Sequence, residues 1–97
     1  MSKSDYTILL PQSSKRLKEF KNLFTRRKKQ VEKAIEKLKK YPTDLTKSGI
    51  EKLEDKEVGE YSIRVSKGDR IIYDVNLKKR EVLLIRAGKH DLYKLLR

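Results

Sequence analysis

Two arginines, a single histidine and a tyrosine offer the chemistry in this sequence: Arg64 and Arg70 mid-chain, His90 and Tyr93 near the end. A guanidinium gives planar, bidentate stabilisation of phosphate charge. An imidazole near its ordinary pKa can donate a proton to a leaving oxygen. Tyr93 can stack on a base or assist proton transfer. Together these groups suit phosphodiester cleavage. RNA supplies its own nucleophile, the 2′-hydroxyl, so neither a protein nucleophile nor a metal is required. The chain has no cysteine and one histidine, which excludes a disulfide framework, a thiolate zinc site, a cysteine nucleophile and any multi-histidine metal centre. No metal and no cofactor is expected. Plainer readings compete: His90 as an exposed surface residue, Arg64 and Arg70 as ordinary solvent-face arginines, and Tyr93 as an anchor for the tail.

The elements that must position these residues can be read from hydrophobic spacing. Tyr6-Thr7-Ile8-Leu9-Leu10 is a short strand stopped by Pro11. Ser13 or Ser14 caps a first helix with Leu17, Phe20 and Phe24 on one side, and Thr25 caps a second with Val31, Ala34, Ile35, Leu38 and Tyr41. That second helix should end at Tyr41, because a residue before proline is pushed out of the helical region. Residues 43–58 read as polar and irregular, apart from the short Ile50–Leu53 segment. An antiparallel meander follows: Tyr61–Ser66, Arg70–Val75 and Glu81–Ala87, with a tail from Gly88 to Arg97 ending as a short helix or irregular cap.

Register decides where the arginines go. A three-residue loop, Lys67-Gly68-Asp69, pairs Ser66 with Arg70 and puts Tyr61, Ile63 and Val65 on one core face with Ile71, Tyr73 and Val75. The opposite face carries Ser62, Arg64, Ser66, Arg70, Ile72 and Asp74. Arg64 is then expected across from Ile72 and diagonal to Arg70, near enough for both guanidinium groups to reach one phosphate.

Ninety-seven residues, 36% hydrophobic and 41% charged, fit a single domain over 1–97 with one thin core. The net charge of +12 calls for a polyanionic partner. It is concentrated in the first 43 residues, where 13 Lys and Arg face only 4 Asp and Glu. With no signal-peptide-like apolar region at the start and no membrane-length apolar run, the expected location is cytoplasmic, away from membranes.

Gly59-Glu60-Tyr61-Ser62-Ile63-Arg64-Val65, Asp69-Arg70-Ile71-Ile72-Tyr73, Val82-Leu83-Leu84-Ile85 and Gly88-Lys89-His90-Asp91-Leu92-Tyr93 together resemble the RelE/YoeB/YafQ superfamily of type II toxin–antitoxin ribonucleases. The resemblance extends to length and element order and so covers nearly the whole chain. It implies an α+β fold of N-terminal strand, helical hairpin and three-stranded antiparallel meander. It also implies a ribosome-dependent, metal-independent mRNA endonuclease held inactive by a cognate antitoxin. Arg70 matches the family's phosphate-binding arginine, Arg64 a basic position used by some members, and His90 the C-terminal catalytic histidine of YoeB- and YafQ-like members. Tyr93 resembles the terminal aromatic, and Glu51 falls near the general base of YoeB-like members, though it also reads as a solvated loop carboxylate. Ser62 stands where RelE has a catalytic lysine, and the paired His–Asp set of YafQ is absent. The base is therefore Glu51, another carboxylate or a lysine of the 52–56 loop. Arg26, Arg27, Lys28, Lys29, Lys33, Lys52 and Lys89 are the expected contacts to mRNA and to the ribosome's 16S ribosomal RNA, and Arg86 is an expected edge or antitoxin contact. Two alternatives remain: a ParE-like inhibitor of DNA gyrase on the same fold, and a non-catalytic RNA- or ribosome-binding protein.

Overall fold

The computed structural model describes residues 5–54 and 59–89, in the order β1 (Thr7–Leu9), α1 (Ser14–Arg26), α2 (Lys28–Lys40), β2 (Ile50–Lys52), β3 (Tyr61–Arg64), β4 (Asp69–Asn76) and β5 (Glu81–Lys89). His90, Tyr93 and the rest of the tail lie outside the described residues. The strands form one sheet in the order β1-β5-β4-β3-β2. β1 runs parallel to β5, while α1 and α2 carry the chain from β1 to β2 at the opposite edge of the sheet, and every other neighbouring pair is antiparallel. The expected α+β architecture holds. Ile50–Lys52 adds an edge strand to the meander, Ile50 opposite Ile63 and Glu51 opposite Ser62. A three-residue run bounded by polar sequence is too short to announce itself by alternation.

Ser13 caps α1, its hydroxyl accepting from the Arg16 N–H at 3.4 Å. Thr25 does not cap α2: it sits inside α1, its hydroxyl donating back to the Lys21 carbonyl at 3.0 Å. The helices are joined by Arg27 alone, which ends α1 and begins α2. α2 stops at Lys40, with Tyr41 as its C-cap ahead of Pro42. On α1 the sheet-facing residues are Phe20 and Leu23, whereas Phe24 is 37% exposed and turns away from the core. On α2, Val31, Ala34 and Leu38 are buried, Ile35 is half-buried and Tyr41 is exposed.

The core forms where this helical stripe meets the expected sheet face, built around Ile63, Val65, Ile71, Tyr73, Val82, Leu84 and Ala87. Burying each large aliphatic side chain contributes about 1.5–3 kcal/mol. Tyr73 is fully buried and stacks on Tyr61 with ring centroids 5.7 Å apart, and its hydroxyl donates to the Pro42 carbonyl at 2.7 Å. Burial, with a smaller contribution from Tyr61, pushes its pKa well above the usual phenol range.

Candidate functional site

Strands β2, β3 and β4 bring polar side chains to the sheet face opposite the helices. The face assignment follows the expected alternation, but the β3–β4 register is displaced by two residues. Ile63 pairs with Ile71, Ser62 with Ile72 and Arg64 directly with Arg70, correcting the expected diagonal arrangement. A two-residue displacement leaves every side chain on its own face. Asp69 is its cause. Its carboxylate accepts from the Ser66 hydroxyl at 2.8 Å, Arg26 Nη2 at 3.3 Å and Arg27 Nε at 3.3 Å, drawing residue 69 into the strand and leaving Ser66-Lys67-Gly68 as the turn. Burial opposes the charge, yet Ser66 and the two arginines hold the Asp69 carboxyl below its usual range.

Arg70 lies at the start of β4, on the face opposite the helices, with only 14% of its side chain exposed. Its Nη1 donates to Glu51 Oε1 at 2.6 Å and to the buried Ser62 hydroxyl at 3.2 Å. Its buried Nε has no hydrogen-bond partner among the described residues. Arg64, exposed, stands across from it, and its backbone N–H donates to the Gly49 carbonyl at 2.9 Å. Two like charges directly opposite on a sheet repel, and among the described residues the half-exposed Glu51 pairs with Arg70 alone. Among the described residues this leaves an excess of positive charge, with one guanidinium already oriented, which suits an anion such as a phosphate.

The register also sorts the remaining candidates. Glu51 is opposite Ser62 and shares the face of Arg70, whereas Lys52 is opposite Tyr61 and belongs to the other face. Gly88 is opposite Arg70, and Lys89 is opposite Asp69 on the helix side. Arg26 and Arg27 are tied to Asp69 there while remaining nearly half exposed, and Lys28, Lys29 and Lys33 are exposed along α2. Among the expected site residues the structure therefore brings Arg70, Arg64 and Glu51 together, and gathers Arg26, Arg27 and Lys89 at the same end on the opposite face.

Gly59 backs onto the site floor. A Cβ there would sit 2.5 Å from Ile72 Cγ2, and the Glu60 N–H donates to Asp74 Oδ1 at 2.7 Å. Sequence reading missed the Ser62 contact, because a serine in a strand gives no signal of its partner. Arg86, expected as an edge or antitoxin contact, is buried and paired with Glu19 of α1. Among the described residues, no group of three or more His, Cys, Asp or Glu is placed to hold a metal, and no helix is long and apolar enough to cross a membrane.

No protein-family model and no curated protein sequence matches the chain. Solved structures do. A mutant of the toxin RelE from E. coli in its free state aligns with a TM-score of 0.69 at 24% identity, over 95% of this chain and 90% of that one. The YoeB–YefM complex from Staphylococcus aureus aligns at 0.66 and 20%, over 88% and 97% of the respective chains. The archaeal RelE–RelB complex from Pyrococcus horikoshii aligns at 0.65 and 20%, over 88% and 94%. The fold is that of the RelE and YoeB toxins.

Proposed function

We propose that the chain is the toxin of a type II toxin–antitoxin system and cleaves translated mRNA as a ribosome-dependent, metal-independent endoribonuclease. The observation that carries this reading is Arg70: a mostly buried guanidinium on the open sheet face, oriented by Glu51 and Ser62 and opposite a second arginine. A fork fixed before substrate arrives stabilises the charge that develops on a pentavalent phosphate without reorganising.

In this mechanism Arg70 and Arg64 hold the scissile phosphate. Glu51, on the same face, takes the proton of the 2′-hydroxyl as that oxygen attacks phosphorus. His90 gives its proton to the departing 5′-oxygen. The bond to the 5′-oxygen breaks as the bond to the 2′-oxygen forms, leaving a 2′,3′-cyclic phosphate and a 5′-hydroxyl. Tyr93 stacks on a neighbouring base. Arg26, Arg27, Lys28, Lys29, Lys33, Lys52 and Lys89 bind ribosomal RNA and mRNA through their phosphates, and the ribosome supplies the alignment of the message. A cognate antitoxin with an acidic wrapping segment covers this basic surface, a reading in keeping with the complexes of RelE with RelB and of YoeB with YefM.

Controlled expression in a bacterial host tests the proposal. Wild-type protein should arrest growth and protein synthesis, a neighbouring open reading frame should restore both when co-expressed, and Arg70→Ala should be harmless. Arrest that persists in Arg70→Ala, with loss of gyrase supercoiling instead of translation, would overturn it.

A further inference from the structure

Among the described residues, the second half of the strand that passes Arg70 has no strand partner along one side. β1 ends at Leu9, in register with Leu83, so among the described residues those at 84–89 of β5 have a strand neighbour only on the β4 side. The same stretch follows an irregularity: Ile72 pairs with Arg86 but Tyr73 with Leu84, leaving Ile85 as an extra residue in β5. A bulge loosens the ladder locally, and a free strand side leaves backbone donors without acceptors.

Glu19 of α1 reaches this point. Its Oε1 accepts from the Ala87 backbone N–H at 2.9 Å and from Arg86 Nε at 2.9 Å, and its Oε2 accepts from Arg86 Nη2 at 2.8 Å. One carboxylate thus supplies the acceptor that a neighbouring strand would have offered and clamps the adjacent side chain bidentately. Arg86 is only 9% exposed and its Nη1 has no partner among the described residues, so the pair is a poor device for stability alone. Apolar residues of similar volume would serve a core as well or better. What the pair does supply is a fixed place for residues 86–89, which set Gly88 across from Arg70 and Lys89 across from Asp69.

We propose that Glu19 is a positioning residue: through Ala87 and Arg86 it anchors the end of β5 against α1 and so holds the strand end that completes the Arg70 site. The proposal rests on the ribonuclease reading for what that strand end accomplishes, while the anchoring itself is measured separately.

The test compares wild type with Glu19→Gln and with the double substitution Glu19→Leu/Arg86→Met. The double variant removes the buried charges together and should keep the melting temperature of the wild type, whereas Glu19→Gln retains an acceptor for the Ala87 N–H. Amide hydrogen exchange at Ala87 and Gly88 is expected to rise by about tenfold or more in the double variant and much less in Glu19→Gln. In a translating extract, the double variant should cut reporter mRNA roughly ten- to a hundredfold more slowly at saturating ribosomes, with its half-saturating ribosome concentration unchanged, because misplacement acts on the chemical step. Wild-type exchange in a well-folded double variant would overturn the proposal, as would wild-type cutting. If wild type itself does not cut mRNA, the ribonuclease reading fails and the anchoring stands or falls on exchange alone.

Discussion

Arg70 hydrogen-bonds to Glu51 and Ser62, and Glu51 is more than half exposed, so the ion pair is of the kind that contributes less than about 1 kcal/mol. Arg70→Ala should therefore melt within about 8 °C of wild type and yet lose cleavage by two or more orders of magnitude, since a preset donor at the phosphate is worth about 10²–10³ in rate. Differential scanning fluorimetry beside a cleavage assay checks both halves. Arg70→Lys should recover little of the rate, because an ammonium cannot reproduce the fork that Ser62 and Glu51 orient. At this scale the sequence was informative about residue type and face: Arg64, Arg70 and Glu51 do share one side of the sheet. Partners were not legible. Nothing in the string Tyr61-Ser62-Ile63 says that the Ser62 hydroxyl ends 3.2 Å from a guanidinium contributed by the next strand.

Elements are locked to one another by two carboxylates, Glu19 between α1 and β5 and Asp69 between β4 and the α1–α2 junction. Burial opposes the charge of each, but hydrogen bonds from Arg86 and the Ala87 N–H outweigh it at Glu19, as those from Ser66, Arg26 and Arg27 do at Asp69. Both carboxyls are therefore held below their usual range. A carboxyl whose pKa is lower in the folded state stabilises the fold above its unfolded value, about 4, and loses that contribution as pH falls through the lowered folded value. Melting temperature should thus fall below about pH 4, and the fall should be shallower in Glu19→Leu/Arg86→Met, as thermal melts between pH 2 and 6 would show. The turn before β3 is equally constrained: Gly59→Ala drives a methyl into Ile72 and should destabilise by about 1–3 kcal/mol, readable by urea unfolding. Periodicity, with caps and prolines, identified both helices, β1 and the three strands of the meander. Thr25 as a cap, Phe24 as a core residue and the β3–β4 register were misread. Thr25 is decided inside α1, where its hydroxyl bonds the Lys21 carbonyl, but Phe24 and the register depend on other elements, and Asp69 is fixed by residues more than forty positions away.

For the whole molecule the dominant quantity is charge. On the proposed reading, a net +12 with exposed Lys28, Lys29 and Lys33 along α2 implies that association with ribosomal RNA weakens steeply as salt rises. Lys28→Ala/Lys29→Ala should lower ribosome affinity and flatten the log–log salt dependence by about one unit for each phosphate that is no longer neutralised, measured by co-sedimentation across a salt series. The substitutions should leave the melting temperature unchanged, because both side chains are exposed and contribute nothing to the core. Net charge and its bias toward the first 43 residues are readable from composition. The division of the basic residues between the Arg70 face and the Asp69 end required the sheet register. The claim on which the rest depends is that this surface cuts RNA, and primer extension on a reporter mRNA in a translating extract tests it most directly. The account predicts discrete cuts with wild-type protein that require translation and disappear in Arg70→Ala. Absence of cuts with wild type, or an identical pattern with Arg70→Ala, would contradict it.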